Sequence, residues 1–410
     1  MGNKSLRYYS EVIIPMRGIR LKVCIIFLLC LIMSYVFYGC NVEKTQTIDN
    51  TIIEEVYLIN IEEISNNEVS LKLSDIADTI EYMELKVNAN TVIFAQNKYD
   101  SKKYYFITSH EKVYQFTLDF KYIRQIGRRG QGPGEYAGLG NLLIDDENEK
   151  VGLLDIQTSI IHFYSTKDGS FLYSHTLPRG IKTEIFYKDS LFYISAYPNN
   201  RTKNILTILN QQNDTLGYIP NYNYLPTEGS YGYMSFGGSS FHTYDGRLFF
   251  RGFNDNDTIW ELKGAEHKVY AVVDKGKFKS PEYEWEEMKK RAKNNEGNYY
   301  QIRVIKEDEH YLYVFLAPHW NRNMRIPYII YDKKEKKGFS SFSVENDISG
   351  GVFILPFSIT DNYYMSFIEA HHLLEYEKIN NRASTSYKNF LNTINEDSNT
   401  ILIRAKQKHK

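Results

Sequence analysis

Residues able to do chemistry gather in a few places in this chain. Ala317-Pro-His-Trp-Asn-Arg-Asn-Met-Arg325 sets one aromatic face, Trp320, among the donors His319, Asn321, Arg322 and Arg325. Such a set can stack a sugar or peptide and fix its polar edge. An exposed hairpin with the aromatic packed inward uses the same residues, and is the plainer expectation. The second place is Gly127-Arg-Arg-Gly-Gln-Gly-Pro-Gly-Glu-Tyr136. Its glycines permit positive φ, and Pro133 stiffens the middle. Arg128, Arg129, Gln131 and Glu135 project from that backbone and suit an anionic or polar ligand. A connection whose Arg and Glu side chains pair with each other or with backbone fits as well, and is the expected use. No Gly-Lys-Ser/Thr follows, so this is not a phosphate loop.

Other catalytic patterns are weaker. The ten His are scattered, His371 and His372 are adjacent, and neither a His-Glu-x-x-His motif nor a Cys pair occurs, so no metal is expected. A His cluster drawn together at an axis from His242, His267, His310 and His319 is the remaining route to one. Gly237-Gly-Ser-Ser240 reads as flexible linkage, since no Gly-x-Ser-x-Gly elbow exists. The acidic pairs Asp145-Asp146, Glu286-Glu287 and Glu307 to Glu309 each read as a solvated turn or face. Asn221-Tyr-Asn-Tyr-Leu-Pro226 reads as a connection. No cofactor is expected.

The elements that must position these residues form a repeat. A polar turn with Asp or Asn precedes an alternating aromatic and aliphatic run, and a second apolar run follows. The phrase starts near residues 100, 146, 189, 245, 309 and 361. The sixth pairs Asp361 to Ile368 with Leu373-Leu-Glu-Tyr376. Strand-length runs at this spacing match blades of a β-propeller, so an all-β, six-bladed β-propeller over residues 51–408 is expected. A long β sandwich is the competing architecture. Glu55-Val-Tyr-Leu-Ile-Asn-Ile61, Ile80-Glu-Tyr-Met-Glu-Leu85 and Thr400-Ile-Leu-Ile-Arg-Ala405 are expected to complete one blade shared by both termini. Ser280 to Lys293 opens with Ser-Pro, carries acids first and bases last, and predicts a short helix over about 281–293 between the fourth and fifth units.

Three phrases resemble one known family. The 127–136 loop resembles the G-x-x-G-x-G-P-G-E-[FY] loop of six-bladed β-propeller lipoproteins of Bacteroidetes, distant relatives of NHL-repeat propellers. Asn256-Asp-Thr-Ile-Trp-Glu-Leu262 is similar to that family's N-D-T-I-Y-x-L strand. Asp397 to Lys406 is similar to its closing strand, with Thr400 where Pro is usual. The resemblance covers about residues 50–408, is specific as to fold, and implies little about activity.

The first forty residues read as an address. Arg17, Arg20 and Lys22 precede or open the apolar run Leu21–Tyr38, and Gly39-Cys40 ends it. This is similar to a bacterial lipobox, which implies lipidation of Cys40 and a mature chain starting there. Phe37 and Tyr38 depart from the usual pattern, and an uncleaved anchor or simple secretion are the alternatives. Met16 is a more typical start than Met1. Residues 41–50 read as a linker.

Composition agrees with that division. All three Cys lie in the first forty residues, so the body has no disulfide. The whole chain has 49 basic and 50 acidic residues, which argues against a nucleic-acid binder. Removing residues 1–39 takes five basic residues and one acidic, leaving a mildly acidic body. The expectation is therefore a lipid-anchored envelope propeller, facing the periplasm or cell exterior, that binds a protein, peptide or glycan. An envelope lyase or hydrolase working in the axial funnel is the alternative.

Overall fold

The computed structural model describes residues 56–408 except 89–90, 179–183, 197–201, 223–240, 253–256, 280–289, 292, 295, 319–320, 322, 354–357, 361 and 378–382. The N-terminal address, linker and Cys40 lie outside the described residues.

Three strands come first: β1 (Tyr57–Asn60), β2 (Leu71–Lys72) and β3 (Ala77–Glu84). Blade 1 is β4 (Asn97–Asp100), β5 (Tyr104–Ser109), β6 (Lys112–Thr117) and β7 (Tyr122–Ile126). Blade 2 is β8 (Leu139–Asp145), β9 (Lys150–Asp155), β10 (Ile160–Ser165) and β11 (Phe171–Thr176). Blade 3 is β12 (Ile185–Lys188), β13 (Leu191–Ser195), β14 (Asn204–Leu209) and β15 (Thr215–Pro220). Blade 4 is β16 (Phe241–Tyr244), β17 (Arg247–Arg251), β18 (Thr258–Lys263) and β19 (Glu266–Asp274). Blade 5 is β20 (Tyr300–Glu307), β21 (Tyr311–Pro318), β22 (Tyr328–Asp332) and β23 (Lys337–Ser341), followed by β24 (Val344–Glu345). Blade 6 orders β25 (Ser358–Ile359), β26 (Tyr363–Ile368), β27 (Ile401–Gln407) and β3. The protein is a six-bladed β-propeller.

Six apolar clusters close the ring, one at each junction between blades. Phe106 and Ile126 of blade 1 pack with Leu142 and Tyr164 of blade 2, and Phe163 of blade 2 with Tyr187 and Phe192 of blade 3. Tyr193 and Ile208 meet Phe250 and Trp260 across the next junction, and Phe249 and Tyr270 meet Leu312 and Tyr331 across the fourth. Tyr313 meets Tyr364 and Ala405, and Met365 and Leu402 return to Tyr105 and Phe116. A single blade leaves both faces wet; stacking buries them. Most of the buried Tyr and Phe are spent in this way.

The termini close blade 6 as the sequence suggests, because β3 pairs antiparallel with β27. Thr400 adds a seam to blade 1: its hydroxyl accepts from Ala95 N–H at 2.9 Å, and Asn399 Oδ1 accepts from Ile93 N–H at 2.6 Å. Two expectations fail. Residues 57–60 do not join blade 6 but add a fifth strand, parallel, to the outer edge of blade 4. Leu373 to Tyr376 is not the second strand of the sixth unit: it lies in helix Ala370–Glu377, and β27 takes that place thirty residues later. Burial of Leu373 against Ile401 and Ile403 explains the helix, since it presents its apolar residues to the blade on one side. The insert also contains helix Thr385–Leu391. The expected helix near 281–293 lies largely outside the described residues; Lys290, Arg291, Lys293 and Asn294 are helical.

Strands alternate in direction within each blade. Turns between first and second strands, and between third and fourth, therefore fall on one face of the ring. Turns between second and third strands, and all blade-to-blade connections, fall on the other. The first face has short turns. Asp189-Ser190 (φ 52° and 63°) and Asp245-Gly246 (φ 48° and 67°) are two-residue turns with both residues left-handed, the geometry that follows strand twist in tight hairpins and that Asp and Gly tolerate.

Candidate functional site: an acidic axial mouth

The short first-to-second turns converge on a cavity of about 1140 Å³. Every blade contributes: Asp100 to Lys102, Asp145 to Asn148, Lys188 to Ser190, Thr243 to Gly246, Glu307 to Tyr311, and Asn362 to Tyr364. Asp75, Gln407 and Lys408 enter where the two ends of the propeller meet. Among the described residues, ten carboxylates line the cavity against three lysines. The turn residues by which the repeat is recognised are thus the same residues that build the mouth.

Part of this charge holds blades together. Asp308 is buried and accepts four hydrogen bonds: His310 N–H and Tyr311 N–H at 2.8 Å, the Tyr313 hydroxyl at 2.7 Å and the Tyr364 hydroxyl at 3.1 Å. Tyr364 belongs to blade 6, so the carboxylate joins two blades. Burial first holds both phenols well above their usual range; Tyr364 and the Asp308 charge add to this at Tyr313, and at Tyr364 the Asp308 charge adds to it while the bond with Tyr313 works against it. Glu307 joins blades 4 and 5. Its Oε1 accepts from Tyr270 and from Lys333 at 2.9 Å, and His242 Nε2 stands 3.5 Å from its Oε2. Burial pushes the Glu307 carboxyl up, but its bonds and the charges of its partners win, and it is held below the usual range. Burial pushes the His242 imidazole down, and the Glu307 carboxylate beside it only partly offsets that. Asp146 accepts Lys102 N–H at 3.0 Å across blades 1 and 2, and Lys188 donates to Gly246 O across blades 3 and 4. Burial lowers the affinity of the Lys306 amino group for its proton, while Asp100 and Glu184 oppose that.

The rest of the charge is uncommitted. Glu147, Asp189, Asp245 and Glu309, on four successive blades, are exposed and make no hydrogen bond or ion pair among the described residues.

The glycine-rich loop joins β7 to β8 and therefore lies on the opposite face. It folds on itself. Gly130 N–H donates to Tyr136 O at 3.0 Å, and Gly132 N–H to Glu135 Oε2 at 2.8 Å. Arg128 pairs with Glu135, and Arg129 with Glu111 of the β5–β6 turn. Buried Tyr136 donates its hydroxyl to Glu111 O at 2.7 Å, and Tyr164 donates to Gly134 O. Gly134 sits at φ 75°, where a Cβ would meet the Phe171 ring at 2.6 Å. The loop is thus a seam between blades 1 and 2, the expected use, with Arg128, Arg129 and Gln131 exposed on its outside.

A family model described as Domain of unknown function (DUF4934) matches residues 56–406, the whole propeller. The chain belongs to this family. The DUF4934 propeller is similar to a crystal structure from Bacteroides fragilis NCTC 9343 whose protein is described as exported. They share 16% identity and a TM-score of 0.66, over 87% of this chain and 100% of that one. A second structure, a member of the duf4221 family from Bacteroides vulgatus, gives 13% identity and a TM-score of 0.49, over 84% of this chain and 99% of that one. At 16% identity the likeness to the B. fragilis structure shows the fold alone. No curated protein matches the sequence.

In this DUF4934 chain Asn321 and Asn323 to Arg325 lie between β21 and β22, on the face opposite the mouth. His319, Trp320 and Arg322 lie outside the described residues. Arg325 is exposed, with its guanidinium 3.8 Å from the Phe342 ring centre. His371 and His372 are on a helix rather than a strand, their rings 4.0 Å apart. Among the described residues no three His, Cys, Asp or Glu side chains could close on one metal ion. Sequence reasoning passed over the mouth. It treated Asp145-Asp146 and Glu307 to Glu309 as solvated, whereas Asp145, Glu307 and Asp308 are buried. The available signal was positional: each acid occupies the same turn of its unit.

Proposed function

We propose that this chain is a non-catalytic binding module of the cell envelope and that it takes its ligand at the axial mouth. The observation that carries this is the 1140 Å³ cavity ringed by turns of all six blades, with uncommitted carboxylates at its exposed rim. Buried Asp308 there takes four donors and locks two blades together, which suits a rigid receptor surface. The leader supports export, with lipid on Cys40 holding the propeller to a membrane, periplasmic or outside the cell. The exported description of the B. fragilis neighbour agrees with that address. Among the described residues no helix is long and apolar enough to cross a membrane.

Array screening against peptides and glycans tests the site. Binders should lose at least tenfold in affinity when exposed mouth residues Thr243 and Asn362 are replaced by Trp. Binders indifferent to both changes place the site elsewhere, for example at Gln131 and Arg325 on the other face. Lipid anchoring is tested by Cys40→Ala, which should abolish labelling by a radioactive fatty acid and release the protein from membranes.

A further inference from the structure

We infer that the ligand of the axial mouth is a basic peptide segment, held through its lysine and arginine side chains. This rests on the reading of the mouth as the binding site. Behind the wall, Lys98, Lys150 and Lys333 offset Asp100, Asp145 and Glu307. With the three lining lysines also counted, an excess of four carboxylates is left among the described residues. That number matches the uncommitted rim residues Glu147, Asp189, Asp245 and Glu309. A concave site of one sign focuses its field and draws in the opposite charge.

A second observation lies in the wall itself. The Glu307 side chain is 0% exposed, yet its Oε2 makes no hydrogen bond among the described residues. With only His242 Nε2 beside it, at 3.5 Å, this buried oxygen adds to the negative field where water screens it least.

The protein also displays the chemistry of recognition on its own side chains. Lys98 lies 4.3 Å from the ring centre of Tyr105, Lys333 4.3 Å from that of Tyr244, and Arg404 4.6 Å from that of Tyr363. All three rings line the mouth. Tyrosine faces beside carboxylates are thus already host to ammonium and guanidinium groups. The rim carboxylates stand on four different blades and do not converge on a point. Such a ring suits several cationic groups along one chain better than a single ion.

The test uses the full-length protein in mild detergent and fluorescein-labelled hexalysine, read by anisotropy. Spermine, hexaglutamate and maltohexaose serve as competitors and controls. Hexalysine should bind, weaken at least tenfold between 50 and 300 mM salt, and weaken at least tenfold in the variant E147Q/D189N/D245N/E309Q. Asn keeps the left-handed turns at 189 and 245, and an unchanged melting temperature shows that the variant is folded. Carbodiimide cross-linking of hexalysine to Glu147 or Glu309 of the unaltered protein gives a measure independent of any variant. Hexalysine that binds both proteins alike, or neither, overturns the inference. So does spermine that binds the mouth more tightly than hexalysine. In those events, maltohexaose, hexaglutamate or spermine binding that is lost in Thr243→Trp keeps the mouth as the site. Binding indifferent to Thr243→Trp removes the mouth as well.

Discussion

Removing the Asp308 carboxylate should unlock the junction of blades 5 and 6. Asp308→Ala takes away the acceptor of four hydrogen bonds at 2.7 to 3.1 Å. The His310 and Tyr311 N–H groups belong to partly exposed residues and can recover water. The two phenols cannot, because Tyr313 and Tyr364 are only 2% and 3% exposed. Their oxygens are 2.9 Å apart, so one hydroxyl can donate to the other and the second proton is stranded. A stranded buried donor costs about 1–3 kcal/mol, and bonds to an ionised acceptor contribute about 1.5–3 kcal/mol each, so a loss of about 3–4 kcal/mol is expected. Asp308→Asn keeps an oxygen for the two N–H groups and should cost about 1–2 kcal/mol. Tyr364→Phe leaves Asp308 with three donors and should cost about 1 kcal/mol. The assay is urea denaturation of the three single variants and the Asp308→Ala/Tyr364→Phe double variant. The cycle should show coupling of about 1–2 kcal/mol. If the double variant is additive, or if Asp308→Ala costs no more than Tyr364→Phe, the carboxylate does not join the blades and the account of the rigid mouth is wrong.

Three further outcomes are expected. Stability should fall on acidification, because His242 and Glu307 both hold protons less tightly when folded, so their contribution is complete above their usual values of 6.5 and 4.5 and is lost as pH drops through the lower folded ones. His242→Gln should flatten the melting temperature between pH 7 and 5, and an unaltered slope there would exclude His242 as the source. Gly134→Ala should destabilise by about 2–3 kcal/mol, since strain at φ 75° adds to a clash with Phe171, whereas Gly264→Ala, at φ 60° in open space, should cost about 1 kcal/mol by thermal unfolding. Thr400→Val should cost about 1–2 kcal/mol by the same measurement, because the Ala95 N–H at the closing seam loses its acceptor; equal stability would mean that the Thr400 hydroxyl does not hold the seam.

Much of the ring was legible in the sequence for a physical reason. The runs that mark each unit are the second and third strands of a blade, such as β5 and β6, β9 and β10, or β21 and β22. These strands are buried on both faces and carry continuous aromatic and aliphatic text. First and fourth strands stood out less. β4 and β25 are short, and β11 and β15 lie at outer edges where most side chains meet water. Leu373 to Tyr376 misled because four apolar-rich residues suit a strand or one turn of helix equally well.

The sequence by itself determined the blade count and the turn chemistry, because these depend on local patterns of apolar, polar and left-handed residues. For the glycine-rich loop it left a ligand site and a self-paired connection both open, and the pairing of Arg128 with Glu135 and Arg129 with Glu111 came from the tertiary structure. Tertiary structure alone decided where charge accumulates. Asp100, Asp145, Asp189, Asp245 and Asp308 are more than forty residues apart in successive units. Each reads as an ordinary solvated turn until ring closure brings all of them to one mouth. Closure also decided which acids are buried and donor-saturated, as Asp308 is, and which stay open at the rim, as Asp189 and Asp245 do. That distinction depends on the partners supplied by neighbouring blades, and no local pattern records those partners.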